Sequence, residues 1–360
     1  KAGYAQRQFS AAFVNNNRNK RSLTVDVKTD AGRSVIRKMA ETCDVFVQNF
    51  RPGVMARLGI DEPDLRGINP QMIYVSMSGW GEKGPYAHKP VYDPIIQALS
   101  GLTTVQGGSD EGRPRLIRTI LPDKLTGITA AQAISSALVA RSNSGIGQHV
   151  RLSMLDAIVA FMWSSDMGSQ TFVGKEVDVA RAATFIDLIY ETKTHYISVS
   201  VMSNEQWQGL CRAVEHMEWL DDDRFKTPGS RDRYANERLE LIQSALLENT
   251  GEYWLDTLEK CGVPCAPVLK RSEMIQHPQV QASEIVIQTK HPHAGELRQA
   301  RNAARFETTE TEIRYGAPQL GEHTRAVLKE FGYSADQIDT LFNEGAVSDY
   351  ETNSEPEKQS

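Results

Sequence analysis

Residues Tyr74–Gly101 read YVSMSGWGEKGPYAHKPVYDPIIQALSG, and residues Thr119–Ala140 read TILPDKLTGITAAQAISSALVA. The apolar start of the first segment predicts a buried strand. The glycines that follow predict a loop whose backbone can approach a ligand closely, with Trp80 supplying an aromatic face. The second segment predicts a long helix rich in small residues, entered from a short apolar run.

Strands and helices alternate on the N-terminal side of these segments. The sequence predicts a strand over Ser22–Lys28, a helix over Asp30–Met39, and a buried strand over Cys43–Val47. The next strand is predicted over Met72–Met77. Strands separated by helices with short connections predict a doubly wound, Rossmann-like α/β layer.

The C-terminal half predicts a smaller α+β domain and a return to the large one. Strands are expected over Ala282–Thr289 and Ala303–Phe306, and a helix over Ala335–Asn343. The end of the chain is charged and is expected to be disordered. The expected domains are residues 1–180 (first part of the large domain), 181–290 (small domain with linkers), 291–347 (second part of the large domain) and 348–360 (disordered tail).

Composition limits the classes of partner. The 360 residues are 40% apolar and 24% charged, with a net charge of −6, which argues against a nucleic-acid binder. No apolar stretch is long enough to span a membrane. Cys43, Cys211, Cys261 and Cys265 are few and scattered, without the spacing of a metal site. They indicate reduced thiols in a cytoplasmic protein with no bound metal.

Two aspartates compete for a chemical role. Asp123 follows Thr119–Leu121 and precedes the long helix, so helix N–H groups and the helix dipole are expected to stabilise its anion. Asp156 also follows a predicted strand and opens a helix. Each pattern is equally that of an ordinary helix cap or first-turn residue, so spacing alone leaves both readings open.

Seven motifs resemble, in order, those of the family III CoA-transferases, which include formyl-CoA transferase, carnitine CoA-transferase and the α-methylacyl-CoA racemases. The resemblance extends from Asn17 to about Val347. The motifs are NRNKRSLTVDVK (Asn17–Lys28), QNFRPGVMARLGI (Gln48–Ile60), SGWGEKGPY (Ser78–Tyr86), LPDKLTG (Leu121–Gly127), SGIGQHV (Ser144–Val150), CGVPCAPV (Cys261–Val268) and APQLGEHT (Ala317–Thr324).

The resemblance implies a CoA-transferase in which Asp123 attacks an acyl-CoA, forming a mixed anhydride and then an enzyme–CoA thioester that a carboxylic acid resolves. A CoA thioester is then a substrate, and no cofactor is bound permanently. The implied substrate pocket contains Gly79, Trp80 and Tyr92. The implied CoA-binding residues are Val25, Lys28, Asn49, Phe50, Arg57 and Leu58.

Two alternatives remain open. The racemases carry a histidine where this chain has Tyr92, and a phenol is a poor proton abstractor at neutral pH, which favours transfer over racemisation. The family's first strand–helix–strand unit is not found before Lys1, which raises a catalytically idle CoA-binding homologue as the second alternative. The glycine-rich loop of formyl-CoA transferase is not found near Ala180–Ile186. The resemblance also implies an interlocked homodimer.

Overall fold

The computed structural model describes residues 5–6, 9–108, 110–176 and 188–350. The chain divides into two compact units, one formed by Lys1–Ala182 with Gln288–Ser360 and the other by Ala183–Ile287. The strands are β1 (Ala5–Gln6), β2 (Phe9–Ser10), β3 (Thr24–Val25), β4 (Val45–Gln48), β5 (Ile73–Ser78), β6 (His149–Ser153), β7 (Ile189–Glu191), β8 (Tyr196–Val199), β9 (Cys265–Pro267), β10 (Val286–His291), β11 (Gly295–Ala300) and β12 (Val347–Ser348).

Helices connect and cover these strands. Those before residue 177 are α1 (Ala11–Asn16), α2 (Asp30–Ala40), α3 (Val54–Arg57), α4 (Glu62–Ile68), α5 (Asp93–Leu99), α6 (Leu102–Gly107), α7 (Leu121–Ser144), α8 (Met154–Trp163) and α9 (Gly168–Thr171). Those after residue 187 are α10 (Asn204–Ala213), a 3₁₀ turn (Met217–Leu220), α11 (Pro228–Arg233), α12 (Ala235–Leu246), α13 (Gly251–Lys260), α14 (Arg271–Met274), α15 (Pro278–Ala282), α16 (Thr324–Glu330) and α17 (Ala335–Asn343).

A three-stranded parallel sheet in the order β4-β5-β6 organises the first unit. On one face Tyr74 packs with Leu65 of α4. On the other face Ile73 and Val75 pack against Ala137 of the long helix α7. Parallel strands that are covered on both faces have continuously apolar sequences, which is why β5 begins Ile-Tyr-Val. The predicted mixed α/β fold is confirmed at this level.

The predicted strand Ser22–Lys28 is shorter in the structure. Only Thr24–Val25 forms a ladder, antiparallel to Val347–Ser348. The next residues turn because the Lys28 amide donates to Asp26 Oδ1 at 2.9 Å. The chain then enters α2, whose N-cap is Thr29. Ser348, which the sequence placed in the disordered tail, therefore belongs to a strand, and residues 351–360 lie outside the described ones.

Two other predicted strands need correction. The strand expected over Ala303–Phe306 is not formed; these residues are exposed and bury no apolar surface that would favour a ladder. The strand expected over Ala282–Thr289 begins later, at Val286, because Pro278 and a cap from the His277 side chain start the short helix α15 first.

The second unit has its own core around an antiparallel sheet in the order β7-β8-β9. One apolar cluster buries four large side chains of this unit: Trp207 and Leu210 of α10, Phe225 of the segment between the 3₁₀ turn and α11, and Trp254 of α13. All four cysteines of the chain are free thiols. Burial raises the pKa of Cys211 to about 12, so it packs as an apolar side chain.

Candidate active site

The loop after β5 forms one wall of a cavity. Gly79 has no room for a side chain, because a Cβ atom there would lie 2.0 Å from Val91 Cγ1. The loop closes on itself at that point, so Gly79 serves close packing between its two ends. Trp80 is only 8% exposed, and its ring meets that of Tyr86 edge-on, with centroids 5.2 Å apart. Of this aromatic pair, Trp80 lines the cavity.

The cavity has a volume of about 440 Å³ and lies in the first unit. Six of the predicted site residues line it. They come from three parts of the chain, which are the loop after β4, the loop after β5 and the start of α7. The predicted residues that line it are Asn49, Phe50, Gly79, Trp80, Tyr92 and Asp123, and the others are Arg51, Pro52, Met77, Ser78, Ala87, Lys89, Pro90, Val91, Thr126, Gly127 and Met154.

The other four predicted CoA-binding residues do not line this cavity. Val25 pairs with Val347 in the β3–β12 ladder. Lys28 and Arg57 have exposed side chains, whereas Leu58 packs beside the core that Tyr74 shares. Their predicted contact with CoA therefore concerns the surface outside the cavity and stays a prediction.

Asp123 is the third residue of α7, not its N-cap. The helix begins at Leu121, Ile120 is the N-cap residue, and Pro122 occupies the first turn. Thr119 and Ile120, in the short apolar run before the helix, form no strand. Proline suits this position because its missing N–H would have had no partner within the helix.

A buried carboxylate from α5 fixes the backbone at Asp123. Asp93 is 4% exposed, and its Oδ2 accepts a hydrogen bond from the Asp123 amide at 3.1 Å. Its Oδ1 accepts from Gln97 Nε2 at 2.7 Å. Gln97 in turn donates to the Thr119 carbonyl at 3.2 Å and accepts from the Ile117 amide at 3.0 Å. Two side chains of α5 thereby hold the whole entry into α7.

The sequence reasoning missed this brace. Asp93 and Gln97 are four residues apart, so they lie on one face of α5, but no helix was predicted there. Nothing local shows that this face would be buried against residues 117–123. That contact is a tertiary one between residues 20 to 30 positions apart in the chain.

The acidity of Asp123 is opposite to the expected direction. The sequence predicted an anion stabilised by the helix N-terminus. Partial desolvation of the carboxyl group at the cavity wall, followed by repulsion from the Asp93 carboxylate, instead raises the pKa of Asp123. The neighbouring Lys124 directs its Nζ to Thr119 Oγ1, to which it donates at 2.8 Å.

Two cations on the cavity wall lie outside the predicted site. Arg51 follows Phe50 in the loop after β4, and its side chain is exposed. Lys89 Nζ lies 3.4 Å from the centroid of the Tyr86 ring, in a cation–π contact. The cavity therefore combines a carboxylate with two positive charges, a composition suited to an anionic substrate.

Asp156 lies at the start of α8 and does not line the cavity. Ser153 caps that helix by accepting from the Asp156 amide at 3.0 Å. Its predicted first-turn position is confirmed. The glycine-rich loop sought near Ala180–Ile186 falls on residues outside the described ones.

The described residues contain neither a metal-binding cluster nor a membrane-spanning helix. In the part of the chain that the structure describes, no group of three or more His, Cys, Asp or Glu side chains could hold a metal ion. None of the helices within the same residues is long and apolar enough to cross a membrane.

Comparison with known proteins identifies the family. The sequence model of CoA-transferase family III matches residues 2–324. A succinyl-CoA:glutarate CoA-transferase from Mus musculus is 29% identical over 348 residues, covering 95% of this chain and 79% of that protein. An acetyl-CoA:oxalate CoA-transferase from Acetobacter aceti is 32% identical over 329 residues, covering 89% of this chain and 81% of that protein.

Structural similarity agrees with the sequence. A crystal structure of a CaiB/BaiF family protein from Brucella suis superposes with a TM-score of 0.75 at 28% identity, covering 89% of this chain and 84% of that one. The predicted family and the predicted activity, transfer of CoA between an acyl-CoA and a carboxylic acid, are confirmed. This chain belongs to CoA-transferase family III.

Proposed function

We propose that Asp123 is the nucleophile of the transfer reaction. The observation that carries this proposal is its place on the cavity wall, with its backbone held by the buried Asp93 carboxylate. Partial desolvation supports the role, because a carboxylate that has lost part of its hydration is freer to attack a carbonyl carbon. Asp156 lacks both features.

The proposed reaction has four balanced steps. The Asp123 carboxylate attacks the acyl-CoA carbonyl and expels CoA thiolate, leaving a mixed anhydride. The thiolate attacks the aspartyl carbonyl and expels the donor acid, leaving an aspartyl–CoA thioester. The acceptor carboxylate then attacks this thioester and expels the thiolate, forming a second anhydride. Attack of the thiolate on the acceptor carbonyl releases the new acyl-CoA and regenerates Asp123.

A short dicarboxylic acid is the proposed acceptor or donor acid. Relatives of this chain act on succinyl-CoA and glutarate, or on acetyl-CoA and oxalate. Arg51 and Lys89 support this choice, since the reacting carboxylate meets Asp123 and a second carboxylate needs a cation on the same wall. The proposal of racemisation has no support in Tyr92, which is 79% exposed.

The CoA moiety is proposed to extend from the cavity across the neighbouring surface, as a substrate and not as a permanently bound cofactor. Asn49 and Phe50 lie at the cavity, and Phe50 is 52% exposed, which leaves its ring face free to meet a base. Lys28 and Arg57 offer exposed cations for phosphates, and Val25 and Leu58 apolar contacts. The large domain, residues 1–180 and 291–347, is the proposed CoA-binding one, with 181–290 as the small domain.

A homodimer in the cytoplasm is the proposed form of the enzyme. Exposed apolar side chains on three helices of the first unit support a partner surface. Interlocking of the two chains is part of the same proposal. The exposed side chains are Ile95 and Leu99 of α5, Ile128 and Val139 of α7, and Phe161 and Trp163 of α8.

The test of the nucleophile is oxygen transfer to a single peptide. Trypsin releases Thr119–Lys124, in which Asp123 is the only side-chain carboxyl group. The enzyme is incubated in ordinary water with succinyl-CoA and glutarate, or with acetyl-CoA and oxalate, the acid labelled with ¹⁸O in its carboxylates. The four steps place acid oxygen on Asp123, so mass spectrometry should find the label there. Turnover without label in this peptide, or with label in the peptide that contains Asp156, would refute the assignment.

A further inference from the structure

A chain of polar side chains crosses one face of the parallel sheet beside the active-site cavity. Gln48 ends β4, Ser76 pairs with it on β5, and His149 begins β6. Gln48 Nε2 lies 3.1 Å from Ser76 Oγ, and Ser76 Oγ lies 2.8 Å from His149 Nε2. At the cavity end, the Phe50 amide donates to Gln48 Oε1 at 2.8 Å. The three side chains, Gln48, Ser76 and His149, are called the relay here.

The hydrogen bonds of the relay have one direction. The Phe50 amide can only donate, so Gln48 accepts with Oε1 and faces Ser76 with its NH₂ group. Ser76 Oγ accepts that donor, which directs its own hydrogen to His149 Nε2. The remaining imidazole proton then lies on Nδ1, which is 3.6 Å from Glu62 Oε2. This direction belongs to the neutral tautomer protonated at Nδ1, and Nδ1 itself is buried without a hydrogen-bond partner.

The far end of the relay is anchored on α4. Glu62 pairs with Arg66 at 2.7 Å, and Arg66 Nη2 donates to the Gly147 carbonyl at 2.9 Å, just before β6. The His149 side chain is 11% exposed, and its ring meets that of Tyr74 edge-on at 5.2 Å. His149 is therefore held by the Ser76 hydrogen bond and the Tyr74 ring, whereas Phe50, at the other end, lies on an exposed loop.

We propose that the relay positions the Phe50 amide, and with it the Asn49–Phe50 wall of the active-site cavity, for the binding of CoA. The effect of the relay on CoA binding rests on the proposed function, whereas its effect on the loop does not depend on that function. Residues of the same types form Ser–His–Glu catalytic triads. Ser76, however, is not among the residues that line the cavity, so it positions the loop and does not attack a substrate.

The test measures the loop and the enzyme separately. Hydrogen–deuterium exchange at the Phe50 amide, resolved by electron-transfer fragmentation, reports the hold on the loop without requiring catalysis. Ser76→Ala and His149→Gln should each speed exchange at Phe50, by about fivefold for one lost neutral hydrogen bond. The double variant should be no faster than Ser76→Ala alone, because the same link is already broken. Ser76→Thr keeps the hydroxyl group and should restore slow exchange.

A matched control removes hydrogen bonds from the same sheet outside the relay. Asn69 Nδ2 donates to the carbonyls of Ala40 and Cys43, just before β4. Asn69→Ala should lower thermal stability and leave Phe50 exchange unchanged. Equal Phe50 exchange in wild type, Ser76→Ala and His149→Gln, or fully additive effects in the double variant, would overturn the relay.

Kinetics then connect the relay with CoA. In Ser76→Ala and His149→Gln, KM for the acyl-CoA should rise about fivefold, while KM for the acid changes little. Faster exchange with an unchanged acyl-CoA KM would remove Asn49–Phe50 from the CoA site and leave the relay as a loop-positioning device. The two failures are thus distinguishable.

Discussion

The N-termini of α7 and α8 carry the same residue at the same position and differ in what surrounds it. Asp123 and Asp156 are each the third residue of their helix. At α8 the Asp156 amide is satisfied locally, by the hydroxyl group of the N-cap Ser153. At α7 the N-cap is Ile120, which offers no side-chain acceptor, and the Asp123 amide is satisfied by Asp93 from another helix.

A cap from the neighbouring residues and a cap from another helix therefore have different consequences. Ser153 is neutral and therefore places no second negative charge beside Asp156. Asp93 brings a buried carboxylate to the helix start, which fixes the backbone of Asp123. Partial desolvation, followed by repulsion from this carboxylate, raises the pKa of the Asp123 carboxyl group. A helix start capped from a distance can therefore present a carboxylate that is both well positioned and energetically unfavourable as an anion.

The largest effect expected from this comparison is on catalysis. Asp123→Ala should fold and lose CoA transfer by roughly a thousandfold or more, because no other group can form the anhydride. Asp156→Asn, the matched variant at the other helix, should keep transfer near the wild-type rate. Steady-state rates with both substrates, measured on samples of equal thermal stability, decide between them. An inactive but well-folded Asp156→Asn would mean that the roles of the two aspartates are reversed.

A smaller effect is expected when the two caps are removed. Asp93→Asn replaces a two-oxygen acceptor with one oxygen and one NH₂ group, so either the Asp123 amide or Gln97 faces a donor. The free energy of unfolding should fall by about 1–3 kcal/mol for this buried loss. Ser153→Ala should cost about 1 kcal/mol, the usual value for a lost N-cap.

Urea unfolding of the two cap variants supplies the measurement, with transfer rates as the second readout. Only Asp93→Asn should also reduce transfer, since only that cap holds the nucleophile. Equal activity losses in the two variants would show that the distant cap has no special role in catalysis.

Local signals determined how far the sequence could predict the fold. The helix Ala335–Asn343 was predicted with both ends correct, because Ser334 and Gln337 form a capping box that the sequence displays. The strand predicted over Ala303–Phe306 was wrong, because four residues of sequence do not show whether a partner strand or a core is present. Burial decides such segments, and burial is a tertiary property.

The same distinction between local signals and tertiary contacts applies to the residues of the active site. Asp123, Tyr92 and Asn49 were selected from motifs, and the structure brings them to one cavity. The Asp93–Gln97 brace escaped the sequence reasoning, because its partners at residues 117–123 are distant in the chain. The predicted direction of the Asp123 pKa was wrong because the helix dipole was visible in the sequence, whereas the partial desolvation of the carboxyl group and the Asp93 carboxylate beside it were not.

The smallest expected effect is a pH-dependent gain in stability in Asp123→Asn. The pKa of Asp123 is raised in the folded protein, so ionising it costs more free energy in the native state than in the unfolded chain. Below the ordinary aspartate pKa both states are protonated, and the variant should match wild type. As the pH rises through the raised folded pKa, wild type should lose stability relative to Asp123→Asn, and the gap should then become constant. Thermal melts of wild type and Asp123→Asn from pH 3 to pH 8 measure it. A flat difference across that range would mean that partial desolvation and the Asp93 carboxylate do not raise the pKa of Asp123. The two helix starts would then differ only in their geometry.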